Sequence, residues 1–116
     1  MAERASTATL AAPALAAYDL REAPAIHAFV ERHPEVLDAL AEAPARIAAI
    51  FGEVGRLQLE LFVSEEGDHA GQLFILIPTT LAVSAASDSL SELDGGWYSA
   101  LAADTRSHLC LDLEFA

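Results

Sequence analysis

Lysine and asparagine are absent from this 116-residue chain, cysteine and tryptophan occur once each, and six arginines are its only fixed cations against eighteen carboxylates. Each shortage removes a class of function. A formal net charge of −12 excludes a nucleic-acid binder held by phosphate contacts, which needs a basic face. With Cys110 alone, no intramolecular disulfide can form. Small secreted domains usually depend on such staples, so a reducing, cytoplasmic setting is expected. No stretch approaches the roughly 18 strongly apolar residues of a membrane span, so no membrane association is expected. The Ala-rich run from Ala5 to Ala17 superficially suggests a signal peptide, but Ser6, Thr7, Thr9 and Pro13 interrupt it and only Leu10 and Leu15 are strong hydrophobes. A signal's apolar region is continuous and Leu-rich.

What is present points to a folded domain. Apolar residues make up 53% of the chain, too many for a disordered acidic tail, although alanine inflates the figure. The length suits one domain with one modest core. Residues 1–22 read as an N-terminal segment, either flexible or holding a fragment of Ala-rich helix around Leu15 to Leu20, and 23–116 as a single α+β domain.

Prolines at 13, 24, 34 and 44 punctuate the first half. Because proline is favoured at the first position of a helix and disruptive inside one, three short helices are expected: Pro24 to Arg32, Pro34 to Glu42 and Pro44 to Phe51. Ile26, Phe29 and Val30, then Val36, Leu37 and Leu40, then Ile47, Ile50 and Phe51 carry helical spacing. From Arg56 to Val63 the period changes to two, with Leu57, Leu59, Leu61 and Val63 on one face of a strand. Leu73 to Ile77, apolar on both faces, reads as a central strand ended by Pro78. His108 to Phe115 alternates again as a third strand. A helix from Ser84 to Leu93, with Ser84 as N-cap and Gly95-Gly96 as its break, lies between them. The expected fold is α+β: short N-terminal helices, then a β-hairpin, helix and strand forming a three-stranded mixed sheet with helices on one face. The last strand–helix–strand unit should cross over right-handedly.

Charge is unevenly placed. Up to Phe51 seven acids face four arginines, and beyond it eleven face two, so the sheet half is the acidic one. If the leucines of the strands face the helices, the other sheet face presents Phe62, Phe74, Leu76 and Cys110, ringed by Gln58, Glu60, His108, Asp112 and Glu114. An apolar centre with a charged rim is the anatomy of a protein interface. Its occupant is residues 1–22 folding across, a second copy, or another protein. Glu65, Glu66 and Asp68, in the Ser64 to Gly71 connection, extend the acidic surface.

No motif carries chemistry. Neither a nucleophile elbow, a phosphate-binding glycine loop nor a dinucleotide fingerprint occurs. His108, Cys110, Asp112 and Glu114 alternate along one strand and can offer two ligands but not a closed metal site. His27 and Glu31 are one helical turn apart, with His33 close by, and read as a surface pair. Cys110 lies among acids that oppose a thiolate. The expectation is therefore no catalytic, cofactor or metal residue.

His33-Pro34-Glu35 opening a helix, an acidic hairpin from Ser64 to Asp68, Pro78-Thr79-Thr80-Leu81, Leu93-Asp94 followed by Trp97-Tyr98, and a terminal Leu113-Glu114-Phe115 carry a resemblance. From about Pro34 to Phe115 the chain resembles a family of small, functionally uncharacterised acidic bacterial proteins. It departs from that pattern at Gly95-Gly96, where acidic residues are expected. The resemblance implies a small α+β fold and an accessory or antitoxin-like role, and transfers no catalytic residue.

The expected function is non-enzymatic: an acidic protein of antitoxin, immunity or inhibitor type that binds a basic protein partner. Glu60, Phe62, Glu65, Glu66, Asp68, Phe74, Leu76, Asp112 and Glu114 are the expected partner-binding residues. The alternatives are a structural homodimer joined through the sheet face and a small-molecule-binding domain with Trp97, Tyr98 and His108 around a pocket.

Overall fold

A computed structural model describes residues 14–52, 54–62 and 71–115. Strand β1 (Tyr18–Arg21) is followed by helices α1 (Ala23–Arg32) and α2 (Val36–Phe51), then by β2 (Leu57–Phe62) and β3 (Gln72–Thr79). Helix α3 (Val83–Gly96), a 3-10 turn at Tyr98–Ala100, helix α4 (Ala103–His108) and β4 (Leu109–Phe115) complete the chain. The fold is α+β with a mixed sheet, and among the described residues that sheet has four strands, in the order β1-β2-β3-β4. The outer pairs, β1 with β2 and β3 with β4, are parallel, and the central pair is antiparallel.

The fourth strand corrects the three-stranded expectation. Residues 18–21 do not trail from the domain but pair with Leu57 to Glu60, while Ala14, Leu15 and Tyr18 are buried in the core. Only residues 1–13 of the N-terminal segment lie outside the described residues. Between β1 and α1, Glu22 adopts φ 64°, ψ 64°, and its carbonyl accepts from the amides of Ala25 and Ile26 at 3.0 and 3.2 Å. A left-handed non-glycine residue turns the chain off the sheet and starts the helix in one step, at a steric cost of about 1–2 kcal/mol.

The helices expected at Pro34 to Glu42 and Pro44 to Phe51 are one continuous helix. Pro44 has no amide to give the carbonyl four residues back, that of Leu40, so an interior proline normally breaks a helix. Here the hydroxyl of Tyr18 donates to the Leu40 carbonyl at 2.7 Å and replaces the missing partner. Strand β3 likewise runs through Pro78, which pairs with Glu114 of β4. Its other flank is clear, because the β2 ladder ends at Leu76 opposite Gln58, so the proline sits where the strand is an edge on that side. Helix α3 starts one residue before Ser84 and has no side-chain cap; Gly95 and Gly96 are its final residues rather than a break before them.

Every second strand residue faces the helices. Leu59, Leu73, Ile75, Ile77 and Leu109 are fully buried there, against Ile26, Phe29, Leu40, Ile47 and Leu93. Leu93 and Trp97 belong to the same core as α1 and α2, so α1, α2 and α3 serve one sheet face. That has a topological consequence. The two parallel pairs run in opposite directions across one sheet order, so crossovers on the same face must be of opposite hand. The right-handed rule can hold for only one of them.

Candidate functional site

Among the described residues, no helix lies over the second sheet face. Asp19 and Arg21 of β1, Gln58, Glu60 and Phe62 of β2, Gln72, Phe74, Leu76 and Pro78 of β3, and Cys110, Asp112 and Glu114 of β4 alternate with the core residues and so share this face. Six of the nine expected partner-binding residues, Glu60, Phe62, Phe74, Leu76, Asp112 and Glu114, are among them. The other three, Glu65, Glu66 and Asp68, lie outside the described residues.

The face has two unlike ends. At one, Phe62 is 61% exposed and meets Phe74 edge to face at 6.4 Å between ring centroids. At the other, Arg21 makes a polar strap from the first strand to the last. Its guanidinium bonds Gln58, reaches the Glu60 carboxylate at 3.4 Å and the Glu114 carboxylate at 2.8 Å. The bond to Glu114 holds Arg21 still more firmly charged than a free arginine. Leu76, paired with Gln58 on one side and Asp112 on the other, lies in the path of the strap and is only 7% exposed. The expected apolar centre is thus divided: Phe62 is open, Phe74 is half-buried, and Leu76 is buried. A second arginine, Arg56, fastens the β1 edge by bonding Asp19 at 2.6 Å and the carbonyls of Ala16 and Tyr18.

Cys110 is partly buried on this face. Burial pushes its thiol above the ordinary value, and the Asp112 carboxylate adds to the shift. The acidic neighbour expected from sequence acts in the expected direction, with burial the larger cause.

A second cluster lies at the end of the helical layer. His33 caps the C-terminus of α1, Glu35 precedes α2, and His108 ends α4. The Glu35 carboxylate is 3.1 Å from His108 Nδ1 and 3.6 Å from His33 Nδ1. The imidazoles stack with centroids 4.0 Å apart, and Phe29 backs His33 at 4.6 Å and His108 at 6.1 Å. Burial lowers the His33 pKa, the neighbouring His108 lowers it further, and Glu35 opposes both. Thr105 donates to the Glu35 carbonyl at 3.3 Å, tying α4 to the start of α2.

No family model, curated protein or solved structure matches this chain. The resemblance to small acidic bacterial proteins therefore rests on the residues that carry it.

Trp97, Tyr98 and His108 do not line one pocket. Trp97 is buried in the core and donates to Glu42 at 3.0 Å, whereas His108 belongs to the histidine pair. Tyr98 bonds the carbonyls of Leu109 and Arg106 at 2.6 and 3.0 Å and borders an open cleft with Leu90, Asp94 and Cys110. His27 is exposed on α1 and takes no part in the histidine cluster. Sequence reasoning missed two participants. Arg21 fell in the N-terminal segment read apart from the domain. Glu35 was read as part of a helix opening, although His33-Pro34-Glu35 holds two ligand types two residues apart.

Among the described residues no helix is long and apolar enough to cross a membrane.

Proposed function

We propose that this protein is a non-enzymatic, cytoplasmic interaction protein whose uncovered sheet face binds, and thereby neutralises, a basic protein partner. The observation that carries the reading is the convergence of Glu60, Phe62, Phe74, Leu76, Asp112 and Glu114 on one face that no described helix covers, with a phenylalanine 61% exposed. Asp19, Glu60, Asp112 and Glu114 outnumber Arg21 and Arg56, the arginines that pair with them, so the face favours cationic partners. Complementary fields of this kind raise the association rate and suppress wrong partners.

The strap suggests how binding proceeds. Arg21 already models the recognition chemistry, a guanidinium held by Glu60 and Glu114. A partner arginine that takes over these carboxylates exchanges one ion pair for another. Phe62 and Phe74 then supply the apolar anchor, the part of an interface that carries most of the affinity. An antitoxin, an immunity protein or an inhibitor that offers carboxylates in place of phosphates would work this way.

The test is capture of partners by the tagged full chain from its source cells, with washes at low and high salt, repeated with Phe62→Asp and Glu60→Arg. The reading expects a stoichiometric basic protein that is lost at high salt, because exposed charge pairs are screened, and that neither variant retains. A partner retained equally by both variants, or recovery of the chain alone at dimer mass, overturns it. Dimer mass would favour the homodimeric alternative.

A further inference from the structure

We propose that His33, Glu35 and His108 form a binding site for one divalent first-row transition ion of the zinc type. Their donor atoms all lie within 4.8 Å of one another. Metal–ligand bonds of 2.0–2.2 Å in a tetrahedron place donors roughly 3.3 Å apart. The two separations from the Glu35 carboxylate, 3.1 Å to His108 and 3.6 Å to His33, bracket that value. The Glu35–histidine separations thus already suit a shared ion, and the two imidazole donors, within 4.8 Å of each other, close on it by ring rotation.

The donor chemistry selects the ion. Two imidazoles and one carboxylate suit zinc, cobalt, nickel and copper, while calcium and magnesium prefer all-oxygen sets. Three protein ligands leave a fourth position for water or an exchangeable ligand. All three side chains are only partly buried, so that position opens to solvent.

The frame is built before any ion arrives. The ligands come from two corners of the chain, residues 33–35 and residue 108, and hydrogen bonds to the backbone hold both. The His33 amide donates to the Phe29 carbonyl at 2.9 Å, and Thr105 joins α4 to the Glu35 carbonyl at 3.3 Å. The Phe29 ring closes one side of the cluster against water. Burial and the neighbouring His108 lower the His33 pKa, in the direction of the neutral ring that coordination uses.

One bond must be surrendered. His108 Nδ1 also lies 3.0 Å from the Asp104 carbonyl, and Ser107 Oγ is 3.3 Å from the same nitrogen. Coordination through Nδ1 moves its proton to Nε2 and releases the Asp104 contact. Binding should therefore weaken on acidification, as protons compete for both imidazoles.

Titration of the metal-free full chain with Co2+, read by visible absorption, and with Zn2+, read by calorimetry, tests the site. The expected result is one ion per chain, a cobalt spectrum showing nitrogen and oxygen ligation, and displacement of cobalt by zinc. His33→Gln and His108→Gln should each weaken binding by more than the roughly 10–100-fold that follows loss of a group that merely orients a ligand. Glu35→Gln should weaken it with the fold intact, and His27→Gln should leave it unchanged. Folding of each variant is checked by the fluorescence of Trp97, the only tryptophan. Absence of saturable 1:1 binding, or binding at wild-type strength by folded His33→Gln and His108→Gln, overturns the proposal.

Discussion

The hydroxyl of Tyr18 donates to the carbonyl of Leu40 at 2.7 Å, and this is the carbonyl that Pro44, one helical turn on, cannot serve. One side chain on the edge strand β1 thus repairs the defect that proline creates inside α2. The same bond ties the N-terminal strand to the helical layer, so the strand and the unbroken helix depend on each other.

The dependence can be measured. Tyr18→Phe keeps the buried ring and strands the Leu40 carbonyl, at an expected cost of about 1–3 kcal/mol in urea unfolding. Pro44→Ala restores the helix's own donor, so Tyr18→Phe should cost little in that background. Additive losses across the double-mutant cycle would show that the two residues act separately.

Tyr18 also sets an alkaline limit. Burial raises its pKa well above the ordinary value of 10.0. Below pH 10 the phenol is protonated in both folded and unfolded chains, and its burial has no pH-dependent effect. Above pH 10 the unfolded chain loses the proton while the folded chain keeps it, so stability falls as pH rises, by up to about 1.4 kcal/mol per pH unit from this group. Tyr98, raised chiefly by burial, adds to the slope in the same direction. Urea midpoints from pH 9 to 11 should show the fall, and Tyr18→Phe should flatten it; an equal slope in that variant would contradict the assignment.

Glu22 bears the left-handed turn between β1 and α1 at φ 64°. Asparagine tolerates that conformation better than glutamate, so Glu22→Asn should raise the thermal midpoint, recovering a part of the roughly 1–2 kcal/mol steric cost. Glu22→Val, with a branched side chain at the same φ, should lower it. The opposite order in calorimetry would mean that the turn relaxes when substituted.

Cys110 should be a slow nucleophile. Burial and Asp112 both raise its pKa, which lowers the thiolate fraction at neutral pH. Alkylation by iodoacetamide at pH 7.5 is expected to be slower than for glutathione, and Asp112→Asn should speed it. A rate above that of glutathione would mark Cys110 as activated.

Much of this architecture was legible in the chain. The alternation of Leu57, Leu59 and Leu61, and of Leu109, Leu111 and Leu113, identified two strands and their buried faces, because period two leaves no other way to bury one side. The apolar spacing at Ile26, Phe29 and Val30 located α1 equally well. The same parity reasoning placed Glu60, Phe62, Phe74, Leu76, Asp112 and Glu114 on one face.

β1 was not legible, because four residues carry too little period to be recognised and its partner, β2, begins 39 positions later at Leu57 opposite Tyr18. The unbroken α2 was not legible either. Proline rules are local, and the donor that overrides them comes from another element. The Arg21 strap and the His33–Glu35–His108 cluster are of the same kind, joining β1 to β4 and the α1–α2 corner to the end of α4. Composition and period alone determined the acidic charge, the α+β class and which strand faces are buried, since those follow from near neighbours along the chain. Which polar groups meet, and so where a cation or a basic partner would find its ligands, was decided only when the tertiary structure brought distant segments within bonding distance.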